Sequence, residues 1–138
     1  DISLMKESGY NPVRAVCKQR DDFKFMGNDE AFVSIHGVKI RLYHPGGSPG
    51  LAKSYRAQQE IWRNEITPDI LLVGHFHFFN SVYEKGVTGI NAACFQSQTP
   101  YEKGKNLHPN VGGVLLDIHN NKRVGVTYVP YDPLNSDW

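Results

Sequence analysis

The sequence is poor in the features that mark secreted, membrane and strongly charged proteins. Only two cysteines occur, Cys17 and Cys94, which excludes a disulfide framework and favours a reducing, cytoplasmic location. No apolar run approaches the roughly 18 residues that a membrane span needs. Because 15 Lys and Arg balance 14 Asp and Glu, a net charge near zero gives no support for a nucleic-acid or membrane partner, although a local basic groove would still allow the former.

A signal segment is also missing, and so is an initial methionine. The chain starts at Asp1, and no basic and then apolar stretch follows. Its 138 residues suit one domain, and a hydrophobic content of 40% is enough for a core. We therefore expect residues 1–138 to be a single domain or the carboxyl-terminal portion of a larger one.

Hydrophobic spacing and turn residues predict an α/β chain. The predicted elements are a helix over 12–20, a strand over 23–26, a hairpin over 31–43 that turns at His36-Gly37, a helix over 51–66 and a buried strand over 70–73. Antiparallel strands are expected after Gly74, over 81–84, 87–95, 113–118 and 123–129, with a two-residue turn at Asn120-Asn121, a polar loop over 96–110 and a loosely packed tail over 130–138.

Three histidines follow the strands of a predicted β-α-β unit. The two strands of such a unit are parallel, so their carboxyl ends lie at one edge of the sheet. His44 follows the first strand directly, and His75 and His77 follow the second strand just past Gly74. Open α/β sheets bind ligands at this edge, and neutral imidazole is a common metal ligand. The spacing therefore favours a metal site over three unrelated loop histidines.

The same residues resemble two motifs of the calcineurin-like metallophosphoesterases. The segment Ile70-Leu71-Leu72-Val73-Gly74-His75-Phe76-His77 resembles the family's Gly-His-x-His motif, and Leu42-Tyr43-His44-Pro45-Gly46-Gly47 resembles the strand-His motif that precedes it. The likeness covers roughly residues 31–130. It implies a layered α/β/β/α sandwich with mixed sheets and at least one β-α-β unit.

The resemblance also implies a reaction and a set of ligands. His44 and His75 would bind one divalent metal and His77 a second, with Mn, Fe or Zn as candidates. In a complete family site, two metals about 3.5–4 Å apart clamp a phosphate and activate a water. The implied function is hydrolysis of a phosphorylated substrate, with a phosphodiester favoured.

Three further family motifs are missing upstream of these histidines. They are Asp-x-His, Gly-Asp-x-x-Asp and Gly-Asn-His-Asp/Glu, which supply the bridging carboxylate. Asp117-Ile118-His119 and Gly27-Asn28-Asp29 resemble two of these motifs in sequence. The first is better explained as the end of a strand beside a hairpin turn, and the second as a turn. Asp1 falls where the third motif would close, so we expect the missing half directly upstream in the same polypeptide. This chain alone should bind at most one metal tightly and hydrolyse phosphoesters poorly.

Two other functions remain open at this point. One is a non-catalytic module that keeps the metallophosphoesterase fold for protein contacts. The other is a single structural zinc held by the three histidines and a fourth ligand. The two cysteines and Ser48 are expected to be packing and loop residues, and a site rim of Tyr55, Arg56, Lys103 and Lys105 is expected to be ordinary surface.

Overall fold

The computed structural model describes residues 6–48, 50–119 and 121–131, so predictions for Asp1, Asn120 and the end of the tail lie outside the described residues. In chain order, the elements are α1 (Pro12–Lys18), β1 (Glu30–Ile35), β2 (Val38–Tyr43), α2 (Tyr55–Arg63), β3 (Ile70–Val73), β4 (Asn80–Glu84), β5 (Val87–Asn91), α3 (Pro100–Gly104), β6 (Gly112–Ile118) and β7 (Val124–Pro130). Within these residues no helix is long and apolar enough to cross a membrane.

Strands β1 to β5 form one mixed sheet in the order β1-β2-β3-β5-β4. The three central strands run parallel, and the two edge strands pair antiparallel with their neighbours. The predicted β-α-β unit is confirmed as β2-α2-β3. The expectation of only antiparallel strands after Gly74 is wrong for β5, which pairs parallel with β3 and gives that largely buried strand two parallel neighbours.

A layer lies on each face of this sheet. Helix α2 packs Ala57 and Ile61 on one face, against Leu71, Val73 and Val87. The antiparallel pair β6-β7 covers the other face, where Val38, Ile40, Ile70 and Ile90 are buried. A side chain at Gly89 would come within 3.0 Å of Ile61 Cδ1, so glycine allows the helix its close approach. The described layers are therefore helix, sheet and sheet.

The predicted hairpin over 31–43 is confirmed, and its turn has a physical cause. His36 and Gly37 both have positive φ, of 49° and 77°, which is the geometry that a two-residue turn between twisted strands requires. The connection between β6 and β7 is longer than the predicted two residues. His119 N–H still donates to the Arg123 carbonyl across it.

Several predicted elements differ in extent. Helix α2 covers only Tyr55–Arg63, because Leu51 and Ile66 are fully or largely exposed and add no burial to hold further turns. No strand forms over 23–26, where Phe23 and Met26 are half-exposed and the segment pairs with none of the described strands. The predicted loop over 96–110 contains the short helix α3. Strand β5 ends at Asn91 instead of Phe95.

Candidate metal centre

Two of the predicted histidines meet at the carboxyl edge of β2 and β3. His44 directly follows β2, and His75 follows β3 after a single glycine. Their ring centroids are 5.0 Å apart, and the ring planes are inclined by 78°. Both side chains are exposed. Parallel pairing of the two strands thus brings together two imidazoles that are distant in sequence, on a surface open to solvent.

Gly74 sets the separation of this pair. Its N–H donates to the Tyr43 carbonyl over 2.9 Å, which extends the parallel pairing up to the site. A Cβ at position 74 would lie 3.3 Å from His44 Cδ2, a contact tighter than side chains usually tolerate. Glycine therefore lets the His44 ring lie directly against the β3 exit.

The residues after Gly74 alternate between the core and the surface. Phe78 is buried and Phe76 packs against the helix-side core, whereas His75 is exposed and His77 keeps 41% of its side chain accessible. His75 and His77 both have positive φ, of 81° and 56°. This left-handed backbone costs free energy for a non-glycine residue and recurs at functional sites. The two phenylalanine anchors help to hold that conformation.

The loop after β2 holds the second ring in place. Arg56 Nη2 in helix α2 donates to the Gly46 carbonyl over 2.9 Å, and the neighbouring Gly47 carbonyl lies 3.0 Å from His75 Nε2. Because a carbonyl oxygen only accepts, His75 donates through Nε2, so the tautomer with a lone pair on Nδ1 is the one that fits this contact. Arg56 is therefore a loop anchor and not simply a rim residue.

His77 lies against a carboxylate that the sequence did not single out. Its Nδ1 is 2.7 Å from Glu102 Oε1, and the Glu102 side chain is only 8% exposed. Thr99 donates both its backbone N–H and its hydroxyl to Glu102 Oε2, each over 2.8 Å. The bond from the Thr99 N–H, then the His77 contact and the Thr99 hydroxyl, lower the pKa of Glu102 to about 2. The carboxylate is therefore ionised at neutral pH.

The predicted gathering of three imidazoles is only partly realised. The structure pairs His44 with His75, whereas His77 faces Glu102. Over 6–48, 50–119 and 121–131, no group of three or more His, Cys, Asp or Glu side chains is arranged to hold a metal ion. Two adjacent solvent-facing imidazoles fit part of the coordination shell of a transition metal, which needs further ligands to be complete.

A local sequence signal could have revealed Glu102. Thr99 and Glu102 form a Thr-x-x-Glu capping box at the start of α3, with Pro100 in the first turn. That pattern predicts a short helix and two hydrogen bonds to Glu102. The contact with His77 could not be predicted, because it depends on how the connection after β5 folds back to the exit of β3.

No protein-family model matches the chain. Among curated proteins, the chain is 40% identical over 52 residues to the DNA polymerase II small subunit of Archaeoglobus fulgidus, a match that covers 38% of this chain and 11% of the relative. The DNA polymerase II small subunit of Thermoplasma acidophilum is 29% identical over 94 residues, which are 63% of this chain and 18% of the relative. The chain thus spans between about a tenth and a fifth of the length of these relatives.

Among solved structures, a double mutant of Vps29 from Entamoeba histolytica superposes with a TM-score of 0.51 at 17% identity. The match covers 82% of this chain and 67% of that one. Vps29 has a calcineurin-like metallophosphoesterase fold. The α/β fold class with a mixed sheet and a β-α-β unit is therefore confirmed, and the chain shares this metallophosphoesterase-like architecture.

Proposed function

We propose that this chain contributes the histidine ligands of a metal-dependent phosphoester hydrolase, with His44, His75 and His77 as those ligands. The observation that carries the proposal is the contact between the His44 and His75 rings, 5.0 Å apart, at the carboxyl edge of two parallel strands. Strained backbone at His75 and His77 supports it, because both residues keep positive φ where the chain offers the Gly-His-x-His pattern.

In this proposal the three rings have separate tasks. His44 and His75, whose rings are in contact, would hold one divalent ion, and His77, which is turned toward Glu102, would hold a second through its other nitrogen. Mn, Fe and Zn accept imidazole together with carboxylate ligands. When bound, such ions polarise the phosphoryl oxygens and generate a nucleophilic water at neutral pH.

Carboxylate ligands are the part of the site that these residues do not supply. Two cations held close together repel each other, and anionic ligands offset that repulsion. We propose that the carboxylates come from an upstream segment of the same polypeptide, as the motif order implies. Residues 1–138 are then the carboxyl-terminal portion of the domain, and alone they hold at most one ion tightly.

The proposed substrate is a phosphodiester, and the proposed setting is a multisubunit assembly. The curated relatives are named as small subunits of a DNA polymerase, which supports protein partners for this chain. The same names favour a nucleic-acid phosphodiester over a phosphomonoester. Because the net charge of the chain is near zero, we expect any nucleic acid to be bound mainly by other parts of the assembly.

Hydrolysis of bis(4-nitrophenyl) phosphate by the polypeptide in its full natural length tests this proposal. We expect turnover that depends on added Mn²⁺ and that falls by at least about 100-fold in His75→Ala, because loss of a ligand removes several kcal/mol of transition-state stabilisation. His36→Asn is the control, since it replaces an exposed histidine at the opposite end of β2. Absence of metal-dependent turnover, or equal turnover in His75→Ala, would contradict the proposal.

A further inference from the structure

The connection between β5 and β6 contacts both the side chain and the main chain of His77. On the side-chain face, Glu102 Oε1 lies 2.7 Å from His77 Nδ1. On the backbone, the Asn110 N–H donates to the His77 carbonyl over 2.7 Å, and Asn110 Oδ1 accepts from the Phe79 N–H over 2.8 Å. The ring and the main chain of His77 are therefore both fixed by residues that follow it in sequence.

Glu102 divides its two oxygens between two tasks. Oε2 receives both hydrogen bonds from Thr99 and completes the capping box of α3. Oε1 faces His77 and takes no part in the cap. The cap would be complete without any histidine nearby, so the contact with His77 is an additional feature of this site and not a by-product of helix capping.

The chemistry of the contact fixes the tautomer of the ring. An ionised carboxylate can only accept hydrogen bonds, so Nδ1 of His77 must carry the proton. A neutral imidazole with its proton on Nδ1 has its lone pair on Nε2. The His77 side chain is 41% accessible, so the ring as a whole is not enclosed by the protein. A buried carboxylate behind a histidine in this way orients the ring and increases its strength as a metal ligand.

We infer that Glu102 is a positioning residue that holds His77 with Nε2 presented to a divalent metal ion. The inference rests on the proposed function, since His77 is a ligand only within it. A purely structural role for Glu102 would be confined to capping α3. The two roles are separable, because a glutamine at the third helical position also completes a capping box.

The test compares Glu102→Gln with Thr99→Ala. Glu102→Gln keeps the cap but removes the anionic acceptor behind His77. Thr99→Ala removes the capping hydroxyl, while the backbone N–H of residue 99 still holds the carboxylate. Two quantities are measured in each variant and in the wild type. One is the ¹⁵N signature of the His77 ring at about pH 9, where free imidazole is neutral. The other is the affinity of the polypeptide in its full natural length for its second Mn²⁺ ion, measured by titration calorimetry.

We expect the Nδ1–H tautomer in the wild type and in Thr99→Ala, and a shift toward Nε2–H in Glu102→Gln. Affinity for the second Mn²⁺ ion should fall roughly 10- to 100-fold in Glu102→Gln, as for other carboxylates behind a metal-binding histidine, and should change little in Thr99→Ala. An unchanged tautomer in Glu102→Gln, or an equal loss of affinity in both variants, would overturn the inference. If wild type bound no Mn²⁺, the proposed function would fail, while the tautomer comparison would still decide whether Glu102 fixes the ring.

Discussion

His44 and His75 face each other across two parallel strands, with ring centroids 5.0 Å apart and ring planes inclined by 78°. The contact exists because β2 and β3 pair in parallel and end together, so the first side chains beyond each strand become neighbours. The two rings differ in how they are held. His75 is fixed through the Gly47 carbonyl, and His44 is confined by the backbone at Gly74.

This pair should dominate metal binding by the chain. We expect His44→Ala and His75→Ala each to weaken Mn²⁺ or Zn²⁺ binding by at least about tenfold, because each removes one of two adjacent nitrogen ligands. Titration calorimetry measures the effect, and His36→Asn at the far end of β2 should bind like the wild type. Equal affinities in all three variants would place the metal elsewhere.

Gly74→Ala tests whether the spacing of the pair matters. The added methyl group would lie 3.3 Å from His44 Cδ2, so the His44 ring must move by a few tenths of an ångström. We expect metal affinity to fall severalfold with little change in thermal stability, because the strain is borne by an exposed ring. Gly46→Ala is the matched control, since a side chain there meets no atom within 4 Å. A loss of affinity in Gly46→Ala equal to that in Gly74→Ala would show that spacing is not the cause.

Arg56→Ala tests the anchor of the loop after β2. Loss of the hydrogen bond to the Gly46 carbonyl should loosen the adjacent Gly47 carbonyl and with it the His75 ring. We expect weaker metal binding and faster hydrogen exchange in the loop, because local protection depends on such contacts. Arg63→Ala, an exposed arginine in the last turn of the same helix, should leave both unchanged. Wild-type hydrogen exchange and metal affinity in Arg56→Ala would show that Arg56 does not anchor the loop.

The pH dependence of stability should report on Asp69. Its carboxylate accepts from the Lys39 N–H over 2.8 Å and pairs with Lys122 Nζ over 3.1 Å. The backbone hydrogen bond from Lys39, and then the Lys122 contact, lower the pKa of Asp69 below its usual value. The ionised form is thus favoured in the folded state, and its contribution is complete above the unfolded pKa of about 3.9.

Asp69→Asn should therefore reduce the free energy of unfolding by about 1 kcal/mol at neutral pH. The difference from the wild type should shrink as pH falls through the folded pKa, since the wild-type carboxyl group is then protonated as well. Denaturant unfolding at a series of pH values measures it. A difference that stays constant down to the acid range would assign the effect to packing rather than to the charge.

Local patterns were enough to predict the parts of the fold that bring His44 and His75 together. The alternation over 38–43, the apolar run at β3 and the helix between them gave the β-α-β unit that carries the paired histidines. Element ends were predicted less well, because burial by other elements decides them. Residues 23–26 have a strand-like sequence but pair with none of the described strands, and Leu51 and Ile66 at the ends of the predicted helix over 51–66 remain exposed.

The orientation of His77 could not be predicted from spacing. The Gly-His-x-His pattern does not determine whether the second imidazole points toward the first or away from it. The positive φ of His75 and His77 also changes the direction in which each ring leaves the backbone. What decides the direction is Glu102, which a separate helix brings to His77. The capping box that forms this helix is local and predictable, whereas its contact with the β3 exit is a tertiary property.

The most direct test of the central claim is anomalous diffraction from crystals of the protein soaked in Mn²⁺ or Zn²⁺. We expect an anomalous peak at about 2.0–2.2 Å from a ring nitrogen of both His44 and His75. An anomalous peak only at another site would contradict metal binding by this pair. So would soaked crystals in which the His44 and His75 rings keep their positions and no anomalous peak lies next to them.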